Sequence, residues 1–353
     1  MTYKLTVIIP TYNAENYILE AVNSIKEQSL GFENIELILV DDNSNDNTKN
    51  ILKDLSSDFD NVKTIFLESN SGSASEPRNV GIQNSSSDYI MFLDSDDSYS
   101  PQMCEKMYDA ITKNDSDIVC CRFYKLKDDV KSVPYFFLDD FNFNNYSNFK
   151  GQYDENDHIL YLKNIDDFPE IMSLGNPSMI WNKIFRKSVI LERNIKFPKG
   201  NYYEDIYFSM KFLLHAKNIV FLNDFFGYNY VIRSGSDSSV SQNFSQSMLI
   251  KQLNGFKNIM DLFDEENYHN DRLKSELIVD MTKIYMFADI EKDCQNKFLN
   301  IMKPYYKDYK IGTKVNTASF AFNFVINIFI KIFGLNNGLA IFIKNLFLKI
   351  KNR

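Results

Sequence analysis

The chain has 353 residues, 44% hydrophobic, 15% aromatic and 24% charged, so it can bury one or two sizeable cores and is too apolar for intrinsic disorder. Its net charge of −8 divides into +7 after Asp308, where no acid occurs, and −15 before it; so acidic a body argues against nucleic acid as a partner. Four cysteines, Cys104, Cys120, Cys121 and Cys294, show neither CxxC spacing nor the density of a secreted framework, which argues against structural zinc and disulfides.

The opening residues run into a strand without a signal-peptide pattern, which predicts a cytoplasmic protein. Residues 5–9 form that apolar strand, ended by Pro10-Thr11-Tyr12-Asn13. Tyr17, Ile18, Ala21, Val22 and Ile25 then recur at helical spacing, with Asn13 placed to cap the helix. A second strand at 35–40 closes on Asp41-Asp42-Asn43-Ser44 and leads to a helix through Ile51 and Leu55. A third strand at 62–67 precedes a loop from Asn70 and a helix over 77–82. This alternation predicts parallel βαβ units and an α/β fold.

The fourth strand is the most telling. Tyr89-Ile90-Met91-Phe92-Leu93 is apolar throughout, as a strand buried on both faces should be, and ends in Asp94-Ser95-Asp96-Asp97. Acids at the carboxyl end of such a strand enter the crevice where open α/β sheets bind ligands. Clustered carboxylates repel unless a cation sits among them, and a divalent metal carrying a diphosphate satisfies that need.

A helix over 101–114 and a fifth strand at 118–123 follow; residues 125–167 lose periodicity and read as an insertion or long loop. Order returns at Met179-Ile180-Trp181-Asn182-Lys183-Ile184-Phe185, then in helices from Ser188 and over 203–216. Residues 246–306 are helical in pattern.

Singly, these motifs have plain readings. Asp41-Asp42 with Asn43 and Ser44 is ordinary turn and cap chemistry. An EF-hand reading of Asp42, Ser44 and Asp46 fails, since the central glycine is missing and Lys53 stands where a glutamate is required. Arg78, one turn into its helix, reads by itself as a surface arginine. Glu204 and Asp205 complement a helix dipole. His158, His215 and His269 lack metal spacing.

Together and in order, Val7-Ile8-Ile9-Pro10-Thr11-Tyr12-Asn13, the Asp41-Asp42 segment through Thr48, residues 70–81 and Phe92-Leu93-Asp94-Ser95-Asp96-Asp97 resemble the signature of glycosyltransferase family 2. The resemblance spans residues 4 to about 125 and continues more weakly to about 236. Residues 70–81, with proline before the arginine, are most similar to bacterial enzymes that decorate wall polymers such as teichoic acids.

The resemblance implies a GT-A fold, Rossmann-like, with a mainly helical C-terminal extension, a UDP-sugar donor and inversion at the anomeric carbon. Pro10, Thr11 and Tyr12 would border the base and Asp42 would bond the uracil. Asn70 and Arg78 would face nucleotide or sugar, Asp94 and Ser95 the ribose side, and Asp96 a Mn²⁺ or Mg²⁺ ion. Asp205 would be the general base. Trp181 would line the sugar or acceptor pocket, with core packing an equal alternative. Arg233-Ser234-Gly235-Ser236 resembles a loop that folds over the diphosphate, where Arg233 would bind phosphate. The acceptor would be a hydroxyl of a cell-surface glycan or polymer precursor, free or lipid-linked.

The domains expected are 1–240 for catalysis, with a nucleotide-binding half (1–125) and an acceptor half (125–240), a helical extension (241–312) and a tail (313–353). Within the tail, residues 318–333 are nearly all apolar but for Asn323, Asn327 and Lys331, spaced four apart, and a second segment at 339–350 sets Lys344 and Lys349 among apolar residues. Neither reaches ~20 uninterrupted apolar residues, so the tail is expected to lie on the inner face of the cell membrane rather than span it. A buried or dimer-forming helix pair is the alternative.

Two other functions compete. A haloacid-dehalogenase-like phosphatase also uses Asp-x-Asp after a buried strand, but on its first strand and with Thr or Val where Ser98 stands here. The other is a sugar-nucleotide-binding membrane subunit without catalysis.

Overall fold

Runs rich in valine, isoleucine and leucine become the central strands of the computed structural model, which describes residues 3–128, 130–134, 149–168, 179–200, 202–233, 246–287 and 291–308 with Ile330, Ile341 and Lys344. Strands β1 (Leu5–Thr11), β2 (Ile35–Asp41), β3 (Val62–Phe66) and β4 (Tyr89–Phe92) pair in parallel in the order β3-β2-β1-β4. Every residue of β1 and β2 is buried, as strands covered on both faces must be. Thr11 stands opposite Asp41 and Ile8 opposite Phe92, so the ends of β1, β2 and β4 open on one edge.

Helices α1 (Ile18–Lys26), α2 (Thr48–Asp58) and α3 (Ser75–Asn84) return the chain between these strands. The stripe of Ile18, Ala21, Val22 and Ile25 buried by α1 is the one its spacing predicts. Asn13 does not cap it: α1 starts at Ile18 without a side-chain cap, and Asn13, at φ +49°, accepts a bond from Asn45 N instead. Helix α3 lies close to β1, since a Cβ at Gly81 would sit 2.4 Å from Ile8 Cγ2. Pro77 falls in its first turn, where an N–H would have had no helical partner, and Arg78 N makes the next bond to Ala74 O.

Beyond β4 the sheet changes character. Strand β10 (Lys183–Arg186) runs antiparallel between β4 and β6 (Ile118–Lys127), and β11 (Ile219–Ile232) lies parallel to β6. Strands β9 (Ile159–Leu162) and β8 (Gln152–Asp154) continue the sheet, while β5 (Ser98–Tyr99) adds to β11 and β7 (Val130–Ser132) to β6. Helices α4 (Met103–Lys113), α5 (Lys187–Glu192) and α6 (Glu204–His215) belong to this half.

The structure departs from the sequence reading twice here. Residues 125–167 are not one long loop: β7, β8 and β9 lie within them, too short for a period-two pattern to stand out. Residues 135–148 fall outside the described residues. The sequence reading also missed β11, whose apolar run is broken by Asn223 and Asp224. That break coincides with a register shift against β6 between Leu222 and Phe226, the mark of a bulge.

Phe92 of β4 meets Phe185, Phe197 and Phe208 edge-on at 5.9, 5.5 and 5.9 Å, and Phe197 stacks on Phe208 at 4.0 Å. These fully buried rings, each contributing ~1.5–3 kcal/mol, lock β4 to β10 and α6.

Contacts divide the chain into a unit of residues 1–200 and 204–239 and a second of 201–203 and 240–353. In the second, α7 (Gln246–Glu265), α8 (Asp271–Phe287) and α9 (Lys292–Asp308) pack through Phe256 on Tyr305 and Tyr285 on Phe298, at 5.1 and 4.4 Å. Ile330 and Lys344 of the tail are buried, with Lys344 Nζ 4.5 Å from the centre of the Tyr285 ring. Lys344 therefore packs on α8 and does not lie on an exposed cationic face; the rest of the tail lies outside the described residues. No helix among the described residues is long and apolar enough to cross a membrane.

Candidate active site

The loops after β1 and β2 are woven together by their short polar side chains. Asp41 is buried and accepts from Ser44 N and Ser44 Oγ; Ser44 Oγ in turn accepts from Asn13 N. Ala14 N donates to Thr48 Oγ1 at 2.8 Å. Asp42 accepts Ser71 N at 2.8 Å and Ser71 Oγ at 3.0 Å, which pins the loop after β3 to the end of β2. Asn70 reinforces that pin, donating to Asp42 O and accepting from Gly72 N, itself at φ +79°. Pro10 and Thr11 are buried strand residues, while Tyr12 presents its side chain at the edge, 47% exposed.

Arg78 is the hub. Its Nη2 lies 2.8 Å from Asp94 Oδ1, its Nη1 lies 2.6 Å from Asp205 Oδ1, and Glu204 Oε1 stands 3.9 Å away. The side chain is 4% exposed, over the Phe197 ring. Burial opposes its charge, but Asp205, Asp94 and Glu204 outweigh that and hold the guanidinium above its ordinary range. Burial pushes the Asp205 carboxyl up to about 7; Arg78 works against the rise, Glu204 and Asp94 add to it, and Lys183 also opposes it. Lys183 is fully buried, donates to Asn182 Oδ1 and Met179 O, and has its pKa pulled down by burial.

On the other side of Asp94, Arg233 at the end of β11 grips Asp96: Nη1 is 3.0 Å from Oδ2 and Nη2 is 2.6 Å from the backbone oxygen. The guanidinium lies 4.1 Å from the centre of the Tyr17 ring. Burial and the nearby Asp94 raise the Asp96 carboxyl while Arg233 resists. Asp97 faces inward, accepting from Tyr228 OH at 2.6 Å and Val231 N at 2.7 Å, and burial drives it well above the carboxylate range. Ser95 sits half-buried between Asp94 and Asp96.

Trp181 is 6% exposed and stacked on Tyr228 at 4.1 Å with Phe123 edge-on at 4.8 Å, a core position that steadies β11. Ser234, Gly235 and Ser236 lie outside the described residues. Sequence reasoning missed Tyr228, which ties the acidic turn to β11 and carries no local pattern to mark it, and placed Tyr17 only in a helical stripe, not against Arg233. Glu204 was visible only as the first acid of an acidic pair.

Among the described residues no three His, Cys, Asp or Glu side chains converge to hold a metal ion alone. Asp97 is buried on Tyr228; of the other two acids of this turn, Asp96, held by Arg233, is the more open at 43% exposure against 26% for Asp94, held by Arg78. A single hard oxygen donor fits Mg²⁺ or Mn²⁺ shared with a diphosphate, and does not fit a self-sufficient protein site.

The sequence profile of Glycosyl transferase family 2 matches residues 6–169. Among curated proteins, the poly(ribitol-phosphate) beta-N-acetylglucosaminyltransferase TarP of Staphylococcus aureus is 31% identical over 69% of this chain and 67% of its own length. Glycosyltransferase GlyA of Streptococcus pneumoniae and a poly(ribitol-phosphate) beta-glucosyltransferase of Bacillus spizizenii are each 30% identical over 67% of this chain. The matched part spans only 32% and 34% of those two proteins. In structure, Staphylococcus aureus TarS 1–349 in complex with UDP-GlcNAc superposes with a TM-score of 0.64 at 23% identity, covering 88% of this chain and 82% of that one. That likeness is one of fold: the same α/β GT-A core with helices after it.

Proposed function

The chain belongs to glycosyl transferase family 2, and on that basis we propose that it transfers a sugar from a UDP-sugar to a hydroxyl of a cell-surface glycan or polymer precursor, inverting the anomeric carbon. The observation that supports this best is the meeting of Asp94, from the nucleotide-binding half, and Asp205, from α6, on one buried arginine. A base and a donor-binding acid side by side is what a single displacement requires. TarP and the Bacillus relative are named for β-linked products, the outcome of one displacement on an α-glycosyl diphosphate.

In this reading Pro10, Thr11, Tyr12 and Asp42 frame the uracil, Asn70 shapes the loop beside it, and Asp94 and Ser95 face the ribose. Arg233 moves its charge from Asp96 to the diphosphate as the donor arrives. Asp205, ionised above about pH 7, takes the proton of the acceptor hydroxyl while that oxygen attacks. What Mg²⁺ or Mn²⁺ supplies when bound at Asp96 is neutralisation of the departing UDP, so that no acid need protonate it. The family assignment sets the phosphatase reading aside. The tail over 318–353 is proposed to rest on an anionic membrane through its cations other than Lys344.

Incubation with a panel of UDP-sugars and Mn²⁺, scored by release of UDP, tests the reading. One or a few sugars should be slowly hydrolysed without acceptor. No hydrolysis, together with no thermal stabilisation by UDP, would overturn it.

A further inference from the structure

Resting on the reading of Asp205 as the base, we infer that Arg78 is a positioning residue: its two Nη groups fix the Asp205 carboxylate against Asp94 and so join the base to the donor-binding strand end. The alternative role for an arginine in such a site is a mobile arm that reaches for phosphate. The surroundings of Arg78 oppose that. It is 4% exposed and both Nη groups are engaged by carboxylates on different elements, at 2.8 and 2.6 Å.

The backbone beneath it is held as firmly. Asn79, the next residue of α3, accepts Phe197 N and donates to Phe197 O, both at 2.9 Å, and Ser75 Oγ donates to Pro198 O. Phe197 carries the ring under the guanidinium. Helix α3 thus holds both the arginine and the segment leading to α6, which carries Asp205.

Charge leads to the same assignment. The groups facing Asp205 are Arg78 from α3, Asp94 from the end of β4, Glu204 from α6 and Lys183 from β10. Two are acids that resist its ionisation, and Arg78 is the cation in direct contact with it. A lysine could supply the charge but not the span, because an ammonium is a point where the guanidinium is a fork.

The test compares wild type with Arg78→Gln, Arg78→Lys and Glu204→Gln in kcat and donor KM from about pH 5 to about pH 9, with UDP affinity measured by calorimetry. Arg78→Gln is expected to lower kcat ~10²-fold or more, leave UDP affinity unchanged, and move the acidic limb of kcat upward by about 1–3 units. Arg78→Lys recovers part of the limb shift and little of the orientation, so its kcat lies between the two. Glu204→Gln keeps the Arg78 pairs, removes a resisting charge and moves the limb downward, which checks that the limb is that of Asp205; if Arg78→Gln fails to fold, Arg78→Lys carries the test. Arg78 variants with a wild-type limb, raised donor KM and weakened UDP binding would make Arg78 a donor-binding arm and overturn the inference alone. A wild type that turns over no UDP-sugar would overturn the transfer reading, and this one with it.

Discussion

The acids at the end of β2 and those of the turn after β4 and of α6 are kept in opposite ways. Asp41 and Asp42 are satisfied by backbone N–H groups and serine hydroxyls of neighbouring loops. Asp94, Asp96 and Asp205 are held by the guanidinium groups of Arg78 and Arg233. Short local bonds cannot be exchanged for a ligand without undoing the loop. Arg233 can move its charge from Asp96 to an entering diphosphate, while Arg78 stays between Asp94 and Asp205. The first group is suited to build the rim of the proposed site and the second to operate it, with Asp97 a third kind, pushed well above its ordinary value by burial and tied to Tyr228.

Substitution should separate the kinds. The largest effect is expected at Asp205→Asn, with transfer lost by at least ~10²–10⁴-fold while calorimetry finds UDP affinity intact; near-normal turnover would move the base elsewhere. Asp96→Asn should follow, abolishing the Mn²⁺-dependent part of the thermal shift produced by UDP. An undiminished Mn²⁺ effect would place the cation on another residue.

The pH dependence has a defined sign. Because the folded Asp205 carboxyl is raised from its ordinary 3.8 to about 7, kcat should be full above about 7 and fall as pH drops through it. A limb at the ordinary carboxylate value would mean that the group working as base is an exposed acid. A smaller effect should come from Tyr228→Phe, which takes a hydroxyl from buried Asp97 and should destabilise the fold by ~1–3 kcal/mol, read as a lower denaturation midpoint with donor KM little changed. A loss of the same size is expected at Gly81→Ala, where the new Cβ meets Ile8 Cγ2 and ~1–3 kcal/mol of overpacking follows; an unchanged midpoint would show that α3 can shift away from β1.

The same division explains what could be read in the chain beforehand. In the parallel half, each motif follows its own strand, so Thr11, Asp42 and Asp94 could be placed on one edge from periodicity alone. Past β4 the sheet turns antiparallel and bulged, and strand ends no longer announce the site. Nothing local connects Arg78 to Asp205, 127 residues on, or Asp96 to Arg233; family resemblance alone drew those residues together. It could not show that Trp181 serves the core, that Asp97 anchors β11 through Tyr228, or that Lys344 packs on Tyr285, because each depends on what packs against it.

Where UDP and a cation settle decides whether Asp96 and Asp205 have these roles. Crystals soaked with UDP and Mn²⁺ should show the metal bound by Asp96 and the diphosphate, Arg233 turned from Asp96 to phosphate, and Asp205 still on Arg78 beside the open sugar position. Nucleotide bound elsewhere, or a diphosphate placed so that Asp205 lies on the leaving-group side, would contradict it.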